Sequence, residues 1–87
     1  MVLSDHIQAH KHGSFHRDEI QNSEICGCFY CLAIFKPQVL EYWIDEKDGI
    51  GQTCLCPKCG IDSVIGSESG YPINEEFLKK MHRHWFW

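Results

Sequence analysis

Two stretches of this chain write the same thiol pattern. Cys26-Gly27-Cys28-Phe29-Tyr30-Cys31 and Cys54-Leu55-Cys56-Pro57-Lys58-Cys59 both read C-x-C-x-x-C, and between them they hold all six cysteines. A C-x-x-C knuckle turns the backbone so that N–H groups point at a thiolate and both sulfurs face one cation. Two such knuckles about two dozen residues apart are the sequence form of a tetrahedral thiolate metal site. Cys28, Cys31, Cys56 and Cys59 are therefore the expected ligands. A set of four cysteines suits Zn2+ and leaves no open position for water or substrate, which makes the expected role structural. Iron in a rubredoxin-like tetrathiolate site is the second choice.

The two knuckles differ in one respect. Cys56-Pro57-Lys58-Cys59-Gly60 has a stiffening proline and a glycine after its last cysteine, where the chain must reverse beside the sulfur. Leu32 stands at that position in the first knuckle, and the missing glycine counts against iron. Cys26 and Cys54 each precede a knuckle by two residues, so on an extended strand each shares a face with the ligand that follows. They are read as buried cysteines acting as small hydrophobes. The alternatives are a ligand role in place of a neighbour, a regulatory Cys26–Cys54 disulfide, or a second metal.

Other residues have chemistry without a matching pattern. His6/His10 and His12/His16 are i, i+4 pairs with no cysteine or carboxylate at ligand spacing, so surface histidine is the plainer reading. His16, Arg17 and Glu19 combine a general base, a fixed cation and a carboxylate, and are the candidates for catalysis. Such mixtures also arise on solvated helix faces. The chain ends His84-Trp85-Phe86-Trp87. Three consecutive aromatics cannot all enter one core, so Trp85, Phe86 and Trp87 are expected to meet a protein partner or a second copy, against the alternative that they fold back onto the domain.

Composition sets the frame for these sites. With 87 residues the chain makes one small domain, whose core is marginal without a cross-link such as a metal. Hydrophobic content of 44% and aromatic content of 13% argue for a folded globule rather than disorder. The net charge of −4, with Lys and Arg scattered, argues against general nucleic-acid binding. No apolar run approaches the ~20 residues that span a bilayer. Met1 to His6 lack the basic start and apolar core of a secretory signal. A cytoplasmic location is the expectation, and reduced thiols with it.

Residues 1–13 are expected as a mobile or loosely packed His-rich arm, and residues 14–87 as a single zinc-stabilised domain. Within it, Ser14 is the expected N-cap of a short helix running to Ser23. Leu32 to Phe35 forms a strand. Val39, Leu40, Trp43 and Ile44 recur with helical spacing behind Pro37, predicting a helix from Pro37 to Asp45. Residues 46–51 form a loop, residues 52–55 and 61–65 form strands, and residues 66–72 are turn. Asn74 caps a last helix with acids in its first turn, bases in its last, and Phe77, Leu78, Met81 and Trp85 on its apolar stripe. The fold class is thus α+β: a small zinc-ribbon-like domain of two knuckle hairpins, an intervening helix and a C-terminal helix.

The knuckles, the segment Trp43-Ile44-Asp45-Glu46 and the run Cys59 to Gly66, taken together, resemble a group of small bacterial proteins of uncharacterised function described only as cytoplasmic. The resemblance covers roughly residues 14 to 86 and implies a cytosolic bacterial or phage-borne protein without supplying an activity. The knuckles alone resemble the zinc-ribbon and treble-clef groups, which include nucleic-acid binders, protein adaptors and HNH-type nucleases. Residues 32 to 53 lack the histidines that such nucleases carry between their knuckles. The functional expectation is an intracellular zinc-structured protein-interaction or regulatory module. Its rivals are a small metal-dependent hydrolase or nuclease using the His16 region, and a nucleic-acid-binding zinc ribbon.

Overall fold

The computed structural model describes residues Asp5 to Phe86; Trp87, one of the three expected recognition aromatics, lies outside the described residues. The architecture is α+β, with three α-helices and two small antiparallel sheets among these residues. The helices are α1 (Asp5–Gln8), α2 (Arg17–Gln21) and α3 (Glu75–Trp85). The strands are β1 (Cys26–Cys28), β2 (Ile34–Phe35), β3 (Trp43–Lys47), β4 (Ile50–Cys54) and β5 (Val64–Gly66).

One sheet has the order β2-β1-β5, and in it Cys26 stands opposite both Phe35 and Gly66. Adjacent residues on its strands point to opposite faces, and each face has its own core. Val64 joins Ile20, Cys26, Cys28, Phe35, Cys54 and Cys56 on one side. Its neighbour Ile65 joins Ala9, Phe29, Phe77, Leu78 and Met81 on the other. The first knuckle obeys the same alternation, with Cys28 in the first cluster and Phe29 in the second.

The expected helix from Pro37 to Asp45 is not there. A single 3-10 turn spans Pro37–Val39, Leu40 is already extended, and β3 follows from Trp43. The reason lies in the next residues. Asp48 and Gly49 both take positive φ, 54° and 80°, which closes a two-residue hairpin turn of the hand that matches strand twist. Lys47 pairs with Ile50, Ile44 with Thr53 and Trp43 with Cys54. β-Branched and aromatic side chains suit that ladder better than a helix. Asp45, at φ 56°, adds a conformation that no α-helix accommodates.

The helix expected from Ser14 begins later. Phe15 sits at φ 48° and gives its N–H to Thr53 Oγ1 at 2.8 Å, and His16 gives its N–H to Gln52 O at 2.8 Å. The chain therefore docks on β4 before it turns into α2, and His16 rather than Ser14 occupies the N-cap position. Upstream, in the stretch expected as a mobile or loosely packed arm, Asp5 to Gly13 form helical turns, and Ala9 is fully buried in one cluster with Phe77, Leu78 and Met81.

The C-terminal helix forms where expected. Asn74 Oδ1 accepts the Phe77 N–H at 2.8 Å, and Phe77, Leu78 and Met81 are buried. Trp85, expected on the same stripe, remains 39% exposed. Asn74→Ala leaves an N–H unsatisfied at the start of α3 and is expected to lower unfolding free energy by about 1 kcal/mol. Chemical denaturation should show this as a lower midpoint with an unchanged slope.

Candidate metal centre

β1 and the hairpin deliver the two knuckles. In the first, Cys28 N donates to Ala33 O at 2.9 Å and Leu32 N donates to Cys28 O at 2.9 Å. The second repeats this bond for bond: Cys56 N to Ile61 O and Gly60 N to Cys56 O, both at 2.9 Å. N–H groups also point at sulfur, from Tyr30 and Cys31 to Cys28 Sγ at 3.3 and 3.4 Å, and from Lys58 to Cys56 Sγ at 3.4 Å. Gly60 takes φ 77°, as its place after the last cysteine requires, and Leu32 takes φ 68° at the matching position. A leucine there costs roughly 1–2 kcal/mol in backbone strain. The missing glycine after Cys31 thus leaves the knuckle geometry intact.

The two turns bring Cys28, Cys31, Cys56 and Cys59 together, with all four sulfurs within 4.8 Å of one another. Cys28 Sγ lies 3.7 Å from Cys59 Sγ, and Cys31 Sγ lies 3.6 Å from Cys56 Sγ. A tetrahedron with metal–sulfur bonds of about 2.3 Å has edges of about 3.8 Å, so the donor set fits a metal of zinc's size. Among the described residues this is the one cluster of three or more His, Cys, Asp or Glu donors close enough to hold an ion.

The sulfurs are not equivalent. Burial, aided by the sulfurs around them, pushes the Cys31 and Cys59 thiols above their ordinary values. Burial opposes the Cys56 thiolate, but N–H groups of Cys59 and Lys58 and the Cys31 and Cys59 thiols together outweigh it and hold that thiol below the usual value. A cation at the centre removes the mutual repulsion that keeps four such neighbours from ionising together.

Cys26 and Cys54 stay out of this cluster, and both are free thiols with no exposed surface. Burial raises Cys26 to about 11, and burial with Cys26 beside it raises Cys54 to about 12. They are protonated core residues at neutral pH, in line with the reading as small hydrophobes.

Sequence reasoning missed two supporting features. Ser63, buried on the stretch that leaves the second knuckle, places Oγ 3.1 Å from Cys28 Sγ, where its hydroxyl can donate to the thiolate. No spacing rule marks it, because it meets Cys28 only through the β1–β5 pairing. The other is the location of His16, which sequence marks for its chemistry alone. It is 4% exposed, its Nε2 accepts the Cys54 N–H at 3.2 Å and faces Cys54 Sγ at 3.2 Å. An accepting Nε2 places the proton on Nδ1, which donates to His12 O at 2.7 Å.

The other members of the catalytic candidate set turn elsewhere. Arg17 donates to Gly51 O at 2.7 Å and lies 4.6 Å over the Trp43 ring, while Glu19 receives His12 Nδ1 at 2.9 Å. A polar depression of about 180 Å3 does lie beside them, lined in part by His12, His16, Arg17 and Glu19. The i, i+4 histidine pairs are likewise divided: His10 stacks on Trp85 at 3.9 Å between centroids and His6 meets His84 edge-on at 5.7 Å.

Comparison with protein-family models, with curated proteins and with solved structures finds no match to this chain.

Two measurements bear on the site. Ser63→Ala removes a hydrogen bond to a ligand sulfur and should weaken Zn2+ binding by about tenfold or more in competition with a chromophoric chelator, without unfolding the metal-saturated protein. Burial lowers the His16 pKa below its ordinary 6.5, so the folded state holds the ring neutral. Its contribution to stability is present above pH 6.5 and is lost as pH falls through the lower folded-state value. Ring 15N spectra should show the Nδ1–H tautomer at pH 7 and a midpoint below that of an unfolded histidine.

Proposed function

We propose that the protein is a zinc-structured interaction module in which the metal holds the fold and a separate aromatic surface does the recognising. The closed set of four sulfurs carries this reading, because every position of a tetrahedral centre is filled from the chain and none is left for a substrate. Zn2+ is the metal that best suits such a set when no redox work is asked of it. On this reading the matched knuckles make a zinc-ribbon-like unit, a variant in which the β3–β4 hairpin replaces a helix between them.

The recognition surface is the end of α3. Phe86 lies against Tyr30 of the first knuckle at 4.9 Å and Trp85 against His10, yet each remains 39% exposed. Folding back onto the domain therefore covers only part of these rings. A cytoplasmic setting accords with six unpaired thiols, and no helix among the described residues is long and apolar enough to cross a membrane.

The hydrolase reading gains nothing from His16, whose two ring nitrogens are both engaged in holding α2 to β4 and His12. Nucleic-acid binding would need Lys36, Lys47 and Lys58 to join Lys80 and Arg83 on one face, while Lys79 is tied to Glu75 at 2.9 Å.

Removal of residues 85–87 tests the proposal. Sedimentation and native mass spectrometry should show the full chain self-associating and the shortened chain monomeric, both with one zinc. A shortened chain that assembles as before would overturn the aromatic surface as the interface.

A further inference from the structure

Beside the first knuckle is a cavity of about 320 Å3 walled mainly by rings. His10, Phe29, Trp85 and Phe86 are among its lining residues, with Ser14 and the exposed Asp62. The rings form a connected wall: His10 stacks on Trp85 at 3.9 Å, His10 meets Phe29 at 5.8 Å, and Phe29 meets Phe86 at 5.9 Å. No lysine or arginine lines the cavity, and among the described residues Asp62 makes no ion pair. Two supports fix its position. His82 Nδ1 bonds Phe29 O at 3.2 Å, and Ser63, next to Asp62, is anchored to Cys28 Sγ.

Aromatic faces carry negative quadrupole density, and an exposed carboxylate adds a full negative charge. Rings and one acid, with no lysine or arginine among them, make an environment that favours a large, weakly hydrated organic cation over a neutral group or an anion. The volume is at the small end of ligand cavities, enough for a trimethylammonium head and the start of its chain. We propose that this cavity binds a methylated ammonium group against its wall of rings, His10, Phe29, Trp85 and Phe86, with Asp62 as the counter-charge. The proposal rests on the interaction reading above and gives it a ligand class. The same chemistry is found in a free small molecule such as choline and in a methylated lysine side chain of a partner protein.

The test uses the zinc-loaded full chain labelled with 15N. Choline should shift the Trp85 indole N–H resonance in a saturable way, while its uncharged isostere 3,3-dimethyl-1-butanol should not. Asp62→Asn should weaken the choline response about threefold or more, and Trp85→Leu should remove it from the neighbouring backbone signals. A peptide with a central trimethyl-lysine distinguishes the sources. Binding tighter than choline assigns the cation to a partner chain, and binding no tighter assigns it to a small molecule. Equal responses to choline and its neutral isostere, or no response to either cation, would overturn the cation site. Loss of self-association on removing residues 85–87 would still stand in that case, so the two failures are separable.

Discussion

Four cysteine sulfurs gathered within 4.8 Å of one another, a donor set that could hold one cation, constrain this structure more than any other interaction. Cys28 belongs to the sheet β2-β1-β5, whereas Cys56 follows the separate hairpin β3–β4. The sheets have no ladder in common, and the cluster joins them at the base of a shared core of Cys26, Cys28, Cys54, Cys56, Ile20 and Val64. In a chain of 87 residues that core is small, and a metal held by these sulfurs would cross-link distant segments that burial alone leaves marginal. Strain is accepted to achieve it: Leu32 adopts the left-handed conformation that Gly60 reaches without cost in the second knuckle.

A second junction works with the first. His16 spans from the His12 carbonyl to Cys54, Phe15 donates to Thr53, and Arg17 reaches Gly51 and covers Trp43. These contacts fasten the segment around α2 along β4, whose last residue, Cys54, lies two residues upstream of Cys56. Burying a neutral imidazole with both nitrogens bonded is stable only while the ring stays uncharged. The cysteine cluster and the His16 junction together hold the hairpin to the rest of the domain. On the proposed reading, that rigidity is what lets the end of α3 and the first knuckle present their aromatic rings in one geometry.

Legibility in the sequence followed the range of each interaction. Knuckle spacing, the Asn74 cap and the apolar stripe of α3 are local patterns, and each appears in the structure except that Trp85 stays half-exposed. Cys26 and Cys54 could be placed on the buried face because a strand has a period of two. The helix read over Pro37 to Asp45 failed because Val39, Leu40, Trp43 and Ile44 fit a helical period by spacing alone. The decisive signal was Asp48-Gly49, a hairpin turn read only as loop. His16 and Ser63 could not be placed from spacing, since their partners Cys54 and Cys28 lie far along the chain and meet them only through docking and strand pairing. The same holds for His10, which needed the return of α3 to find Trp85.

X-ray absorption at the metal edge of the purified protein bears most directly on the central claim. A closed thiolate centre predicts a zinc edge and a first shell of four sulfurs at about 2.3 Å, with no nitrogen or oxygen contribution. A shell containing nitrogen or oxygen, or fewer than four sulfurs, would contradict a centre filled by Cys28, Cys31, Cys56 and Cys59.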